Sequence, residues 1–160
     1  MKIYLGSDHA GFGLKQKIKD YLLAKNYVVV DFGAEEYNPS DDYPDFIKPV
    51  ADAVSKADQA MGIICGGSGQ GEAMVANKFN NVRATVFYGG VCAKDSIDIE
   101  GNKSEDAFEI VKLSRLHNDA NILSLGVRFI TEEEALKAID TFLSTPFSNN
   151  ERHIRRIEKI

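Results

Sequence analysis

The chain has 160 residues, 44% of them hydrophobic and 27% charged, which is long enough to bury a sizeable core in one domain. With 19 basic and 24 acidic residues the net charge is −5. This balance argues against nucleic acid or an anionic membrane as a partner, because both bind clustered positive charge. The net charge does not exclude a small anionic substrate, since binding one needs only a few local cations.

In chain order, short apolar runs alternate with helical patterns. Strands are predicted at 2–7, 27–32, 59–65, 82–88 and 122–125. Helices are predicted at 12–23, 44–56, 72–78, 107–116, 131–143 and 149–160, with a long loop over 88–106. The alternation predicts a single α/β domain over 1–160, a doubly wound, parallel five-stranded sheet with helices on both faces.

The amino terminus and the cysteines bear on location. The opening MKIYLGSDHAG turns polar too early for a signal peptide, and no apolar run reaches the length of a membrane helix. We therefore expect a cytoplasmic protein in which Cys65 and Cys92 are reduced thiols.

Residues able to do chemistry cluster around the predicted strand ends. Asp8 and His9 follow the first strand, and the glycine-rich stretch 66–72 follows the third. The stretch 117–119 precedes the fifth strand, and Arg128 follows it. In such sheets ligands bind beyond the carboxyl ends of the strands. An Asp–His pair or a glycine turn alone is more often structural, but together we expect these residues at one sheet edge, forming a functional site.

The glycine-rich stretch fits neither familiar nucleotide motif. Gly66 and Gly71 have the spacing of a P-loop, but Glu72 stands where a P-loop requires lysine. The dinucleotide-binding pattern G-x-G-x-x-G fits Gly67 and Gly69, but its last glycine would fall at Glu72. What remains is a set of backbone N–H groups, with the Ser68 hydroxyl and the Glu72 carboxylate, at a helix amino terminus.

This set suits aldose–ketose isomerisation through an enediol. That reaction needs a base to move a proton between adjacent carbons, which Glu72 can be, and donors for the developing oxyanion. Ser68 and the loop at Gly67, Gly69 and Gly71 can supply the donors. No cofactor and no metal are expected, since the three histidines lack the spacing of metal ligands.

The only basic cluster lies near the carboxyl terminus, in the sequence RHIRR over 152–156. Arg152 and Arg156 are four residues apart and share one helix face. Either they form a solvated helix face or they clamp a phosphate group.

Several motifs together resemble the ribose-5-phosphate isomerase B family, which includes the subunits of galactose-6-phosphate isomerase. The resemblance spans nearly the whole chain. It rests on GSDHAG at the start, DYPDF at 42–46, GGSGQGEAMVANK at 66–78, SRLHNDAN at 114–121 and TPFSNNERHIRRIEKI at 145–160.

The resemblance implies a Rossmann-like fold and a role for most of these residues. Asp8 and His117 would assist opening of the furanose ring. Tyr43 would line the sugar pocket, and Asn118 would donate to the substrate or the enediolate.

The resemblance also implies phosphate ligands and an assembly. His9, Arg128, Arg152 and Arg156 would bind the phosphate. Active sites would be shared between two subunits of a homodimer or a dimer of dimers, with the helix at about 149–160 packing on the partner subunit.

Members of this family differ in their base, which is either a cysteine or a glutamate four residues after a serine. Counted back from 76–78, Gly66 occupies the cysteine position and Cys65 falls one residue earlier, on a strand. Glu72 lies four residues after Ser68. We therefore expect the glutamate type, with Cys65 buried.

The loop over 88–106 is much longer than family members usually have there. It is either a lid that reshapes the pocket or a solvated excursion. The substrate is therefore expected to be ribose 5-phosphate or a phosphorylated hexose such as allose or galactose 6-phosphate. A non-catalytic sugar-phosphate-binding module is the third possibility, although a binder of anions has no use for the Glu72 carboxylate.

Overall fold

The computed structural model describes residues 1–160 and contains five strands and six helices. The strands are β1 (Lys2–Ser7), β2 (Val28–Asp31), β3 (Met61–Gly66), β4 (Ala84–Phe87) and β5 (Ile122–Gly126). The helices are α1 (Phe12–Ala24), α2 (Tyr43–Lys56), α3 (Gln70–Ala76), α4 (Glu109–Asn118), α5 (Glu132–Ser144) and α6 (Glu151–Ile157). None of these helices combines the length and the apolar character needed to cross a membrane.

All five strands are parallel and lie in the order β2-β1-β3-β5-β4. Helices α1, α4 and α5 cover one face of the sheet and α2 with α3 the other, as the two buried apolar clusters show. The first cluster includes Ile18, Val111 and Phe142, and the second includes Ile47, Val50 and Ala76. The predicted doubly wound α/β fold is confirmed.

Differences at the element ends have local causes. Helix α3 begins at Gln70, two residues earlier than predicted, because Gly69 takes a left-handed conformation (φ 75°) that ends the preceding turn. Helix α6 is shorter than the predicted 149–160. Asn149 has φ 53°, and the Asn150 side chain accepts the Arg152 N–H and caps the helix there.

Helix α5 has a complete capping box at its amino terminus. The Thr131 hydroxyl accepts the Glu134 N–H, and the Glu134 carboxylate accepts the Thr131 N–H in return, which satisfies two otherwise free donors.

The long loop between β4 and α4 holds no helix or strand but is pinned at its base. The Val91 N–H donates to the Ala107 carbonyl oxygen at 2.9 Å, so the two ends of the excursion lie side by side. At its tip the Ile97 N–H donates to the Asn102 carbonyl oxygen at 2.8 Å, and the Asn102 amide donates to Asp98.

Candidate active site

An open cavity of about 380 Å³ lies at the carboxyl ends of the strands. It forms where β1 and β3 are neighbours in the sheet but connect to helices on opposite faces, the usual position of a ligand site in such folds. The structure brings together most of the predicted site residues along its walls: Asp8, His9, Tyr43, Gly67, Ser68, Gly71, Glu72 and Arg128. Ala10 and Phe129 complete the lining.

The Glu72 side chain lies in the first turn of α3, with the residue only 5% exposed. Its carboxylate rests against the backbone of Gly66, where the three atoms nearest to an added Cβ would all belong to Glu72. Burial raises the pKa of the Glu72 carboxyl; a backbone hydrogen bond opposes this, and the charge of Asp8 adds to it. Glu72 therefore brings a buried carboxyl group of raised pKa to the wall of the cavity.

The glycine loop between β3 and α3 is fixed to β5. The buried Ser124 hydroxyl donates to the Gly69 carbonyl oxygen at 2.7 Å, and the Val127 N–H donates to the Gly66 carbonyl oxygen at 3.0 Å. Gly69 itself does not line the cavity; it supplies the left-handed turn that starts α3. The exposed Ser68 hydroxyl accepts only the Gln70 N–H, at 3.3 Å, and can still donate to a ligand.

Two glycines let larger side chains into the cavity wall. A Cβ on Gly71 would lie 2.9 Å from the Tyr43 hydroxyl, and a Cβ on Gly67 would lie 3.2 Å from the Arg128 guanidinium carbon. Side chains at these positions would displace Tyr43 and crowd Arg128, so glycine leaves both side chains room at the cavity wall.

The end of β1 presents a carboxylate and an imidazole. Asp8 accepts the Ala10 N–H at 3.0 Å. His9 bonds through Nδ1 to Asp41, at 2.6 Å from Oδ1. Asp41 lies 32 residues away from His9 in an irregular loop, and the only signal for it in the sequence is its place beside the DYPDF motif.

Cys65 does not face the cavity. It is 1% exposed in β3, and its Cβ packs against Gly11, next to the start of α1. Burial raises the pKa of the Cys65 thiol to about 12, and the negative charge of Glu72 adds to this. A thiol in this state is a packing residue rather than a base.

A second cavity, of about 510 Å³, holds the basic residues. It is lined by Ser96, Ile97, Asp98, Ile99, Glu100, Leu116, His117, Ser148, Asn150, Arg152, His153 and Arg156. Arg152 and Arg156 of α6 and the tip of the long loop therefore meet at one site, which Glu72 does not share.

The expectation that His117 and Asn118 share the carboxyl edge with Glu72 is wrong within one chain. Both residues end α4, which runs back from the carboxyl edge and precedes β5, so they lie toward the opposite edge. His117 lines the second cavity. Asn118 is exposed and lines neither cavity, and its carbonyl oxygen accepts the Arg83 Nε–H at 2.9 Å.

The surroundings of the second cavity lower the pKa of His117 and so favour its neutral form. Burial lowers its pKa most, followed by the neighbouring His153, whose ring centroid lies 4.3 Å away; Asp98 opposes this, and Arg152 and Arg156 add to it. A neutral imidazole can accept a proton from a hydroxyl group and pass it on.

A family model described as Ribose/Galactose Isomerase matches residues 3–102 and 105–160. This chain belongs to that family. Ribose-5-phosphate isomerase B of Mycolicibacterium paratuberculosis is 37% identical over 158 residues, which cover 99% of this chain and 88% of that protein. The resemblance drawn from the motifs is thereby confirmed.

Solved structures of the family agree with the fold. Ribose-5-phosphate isomerase B from Mycoplasma genitalium, with bound ribulose-5-phosphate, matches with a TM-score of 0.84 and 38% identity over 99% of this chain and 92% of that one. The Clostridium thermocellum enzyme matches with a TM-score of 0.82 and 39% identity over 99% and 94%. The expectation of an aldose–ketose isomerase is confirmed.

Proposed function

We propose that this chain interconverts ribose 5-phosphate and ribulose 5-phosphate through an enediolate, with Glu72 as the base. The observation that carries the proposal is a buried carboxylate, with a raised pKa, set in a cavity beside a glycine loop at a helix amino terminus. It is supported by membership of a family in which the Mycoplasma genitalium enzyme holds ribulose-5-phosphate.

In the proposed reaction Glu72 removes the proton from C2 of the open-chain aldose and returns it to C1, while the hydroxyl proton of O2 moves to O1. The charge that develops on the carbonyl oxygen is stabilised by the Ser68 hydroxyl and by N–H groups of the loop 67–71, since fixed donors in a partly dehydrated site need little reorganisation. Tyr43, next to Gly71, would contact the sugar.

The phosphate ligands and ring-opening groups are divided between the two cavities. Asp8, His9 and Arg128 line the first cavity, whereas His117 lines the second together with Arg152 and Arg156. We propose that a second copy of the chain brings its second cavity against the first cavity of its partner. Asp8 of one copy and the neutral His117 of the other then open the furanose ring, and Asn118 of that other copy donates to the substrate.

Exposed apolar surface supports a homodimer. Helix α6 has no buried residue, although Ile154 lies on it. Met74, Tyr88 and Phe129 are each more than half exposed, and Phe129 lines the first cavity. Large apolar side chains around a polar site are typical of surfaces that another subunit covers.

Both cysteines are unpaired, as expected for reduced thiols. The cytoplasmic location of the protein stays a prediction.

Sharing of the site can be tested with Arg156→Ala. The substitution is expected to weaken substrate binding by about 1.5–3 kcal/mol if the guanidinium makes a charged hydrogen bond to phosphate. Mixing it with Glu72→Gln should then restore activity, because each mixed dimer of two defective chains contains one intact site, about a quarter of all sites after random exchange. The measurement is turnover at low substrate concentration before and after subunit exchange.

The matched control is Arg155→Ala, an exposed arginine on the same helix that lines neither cavity. It should leave substrate binding unchanged. A fully active monomer in sedimentation, or a mixture no more active than its components, would contradict a shared site.

The tip of the long loop keeps a second candidate open, isomerisation of a phosphorylated hexose. Ser96–Glu100 lines the same cavity as Arg152 and Arg156, so in the proposed dimer the loop forms a wall of the substrate site. A wall at this position sets how long a sugar fits between the base and the phosphate ligands.

Shortening the loop is expected to change the ratio of kcat/KM for ribose 5-phosphate over allose 6-phosphate and galactose 6-phosphate. Residues 93–104 can be replaced by two glycines, because the Cys92 thiol lies 3.2 Å from the Glu105 carbonyl oxygen and the ends already meet. The measurement is an assay of both proteins against that panel. An unchanged substrate ranking would show that the loop does not select the sugar.

A further inference from the structure

The loop that joins β2 to α2 contacts the end of β1 through hydrogen bonds between Asp41 and His9. Asp41 Oδ1 accepts two hydrogen bonds from this one residue, from the backbone N–H at 3.1 Å and at Nδ1 at 2.6 Å. The edge of the His9 ring also meets Tyr37 of the same loop, with ring centroids 6.4 Å apart. The position of the imidazole is therefore set by a segment that is distant in sequence.

The contact is specific because Asp41 has no other strong partner. Its side chain is 8% exposed, and Oδ2 is buried without a hydrogen-bond partner. A buried carboxylate costs free energy unless donors compensate it, and here His9 supplies all of them. Nothing in the packing of the loop itself calls for a carboxylate at this position.

The geometry decides which ring nitrogen of His9 is available. A carboxylate only accepts hydrogen bonds, so Nδ1 carries the proton toward Asp41, and Nε2 is left for a ligand in the cavity that His9 lines. The other charged group close to the imidazole is Asp8, with Oδ2 3.8 Å from Nδ1.

We propose that Asp41 is a positioning residue for phosphate binding, which holds His9 so that Nε2 faces the phosphate group of the substrate. The inference rests on the proposed function, in which His9 is a phosphate ligand. Asp41 does not touch the substrate, because a carboxylate in direct contact with phosphate would repel it. Its contribution therefore passes entirely through the imidazole.

A double-mutant cycle tests this dependence. Asp41→Ala is expected to raise KM for ribose 5-phosphate and the inhibition constant of inorganic phosphate by about tenfold, as for the loss of one charge-assisted hydrogen bond. Because the proton-transfer groups are untouched, kcat should change by less than about threefold. In a His9→Gln background the same substitution should have almost no further effect, since the group it positions is gone.

Two further variants separate this role from general damage to the loop. Asp42→Asn removes a neighbouring carboxylate that is exposed and should leave KM unchanged. Asp41→Asn keeps the side-chain shape and a hydrogen-bond acceptor, so it should raise KM less than Asp41→Ala does. Equal effects of Asp41→Ala with and without His9, or an equal effect of Asp42→Asn, would overturn the proposal.

The test also stands apart from the proposed reaction. Stabilisation by inorganic phosphate, measured as the shift in Tm, reports on the Asp41–His9 pair even if the wild-type protein fails to turn over ribose 5-phosphate. In that case the proposed function fails, but the double-mutant cycle can still be measured from the shifts in Tm. The ligand atoms of Asp8, His9 and Asp41 lie within 4.8 Å of one another, so activity that required a divalent cation would instead make them metal ligands and overturn the proposal.

Discussion

Replacement of Glu72 by glutamine is expected to lower kcat by about 10²–10⁴, the usual effect of removing a general base. The amide keeps the shape of the side chain against Gly66 but cannot accept the C2 proton. Substrate binding should change little, because Glu72 is not a phosphate ligand. Steady-state kinetics with ribose 5-phosphate, measured alongside binding of inorganic phosphate, separate the two effects.

Cys65 provides the matched control, since it is the other group near the glycine loop that could take a proton. Cys65→Ala should cost stability, because it opens a small cavity in the sheet, but it should leave kcat within a few-fold of wild type. If Glu72→Gln stayed active and Cys65→Ala were inactive, the cysteine would be the base.

The raised pKa of Glu72 has two consequences with defined signs. Since only the ionised carboxylate accepts a proton, kcat/KM should fall as the pH drops through a value above that of an ordinary glutamate. The folded state also holds this proton more tightly than the unfolded chain does. The free energy of unfolding therefore declines as the pH rises from the pKa of Glu72 in the unfolded chain to its higher pKa in the folded state. Because glutamine does not ionise, Glu72→Gln should be more stable than wild type at neutral pH.

Gly66→Ala is expected to reduce kcat almost as much as removal of the carboxylate itself. The backbone of Gly66 does not adopt a positive φ, so alanine is compatible with the strand. The nearest atoms to the new methyl group all belong to the Glu72 carboxylate, which would have to leave its place beside the loop. Misplacement of a catalytic group by about 1 Å can cost about 10² in rate. The measurement is kcat, with circular dichroism to confirm folding.

The control is Gly13→Ala, at a helical glycine with no atom near an added Cβ, which should stabilise α1 slightly and leave kcat unchanged. In a Glu72→Gln background, Gly66→Ala should lower kcat little further, because both changes remove the same group. A fully active Gly66→Ala enzyme would contradict the assigned position of Glu72.

Much of the fold and half of the site follow from local patterns. Buried strands that alternate with amphipathic helices leave few topologies other than a parallel sheet, and the carboxyl-edge rule then brings Asp8, the glycine loop and Arg128 together. The place of Glu72 against Gly66 also agrees with the position assigned from the motif, in which glycine stands where other members have cysteine.

The remaining features depend on contacts between distant segments. The sequence pattern groups His117 with residues that follow strands, but His117 precedes β5, and the return helix α4 carries it to the opposite edge of the sheet. Asp41 and the loop tip at 96–100 lie in irregular segments without periodicity. Only the folded chain shows that Asp41 is hydrogen-bonded to His9 and that the loop tip lines the same cavity as Arg152.

The most direct measurement is the NMR spectrum of ribose 5-phosphate incubated with the protein in D2O. Proton transfer by a carboxylate exchanges with solvent, so ribulose 5-phosphate should form with deuterium at C1, and Glu72→Gln should form it about 10²–10⁴ times more slowly. Ribose 5-phosphate that stayed unchanged would contradict the isomerisation. Product without deuterium at C1 would contradict proton transfer through an enediolate, and product formed by Glu72→Gln at the wild-type rate would contradict Glu72 as the base.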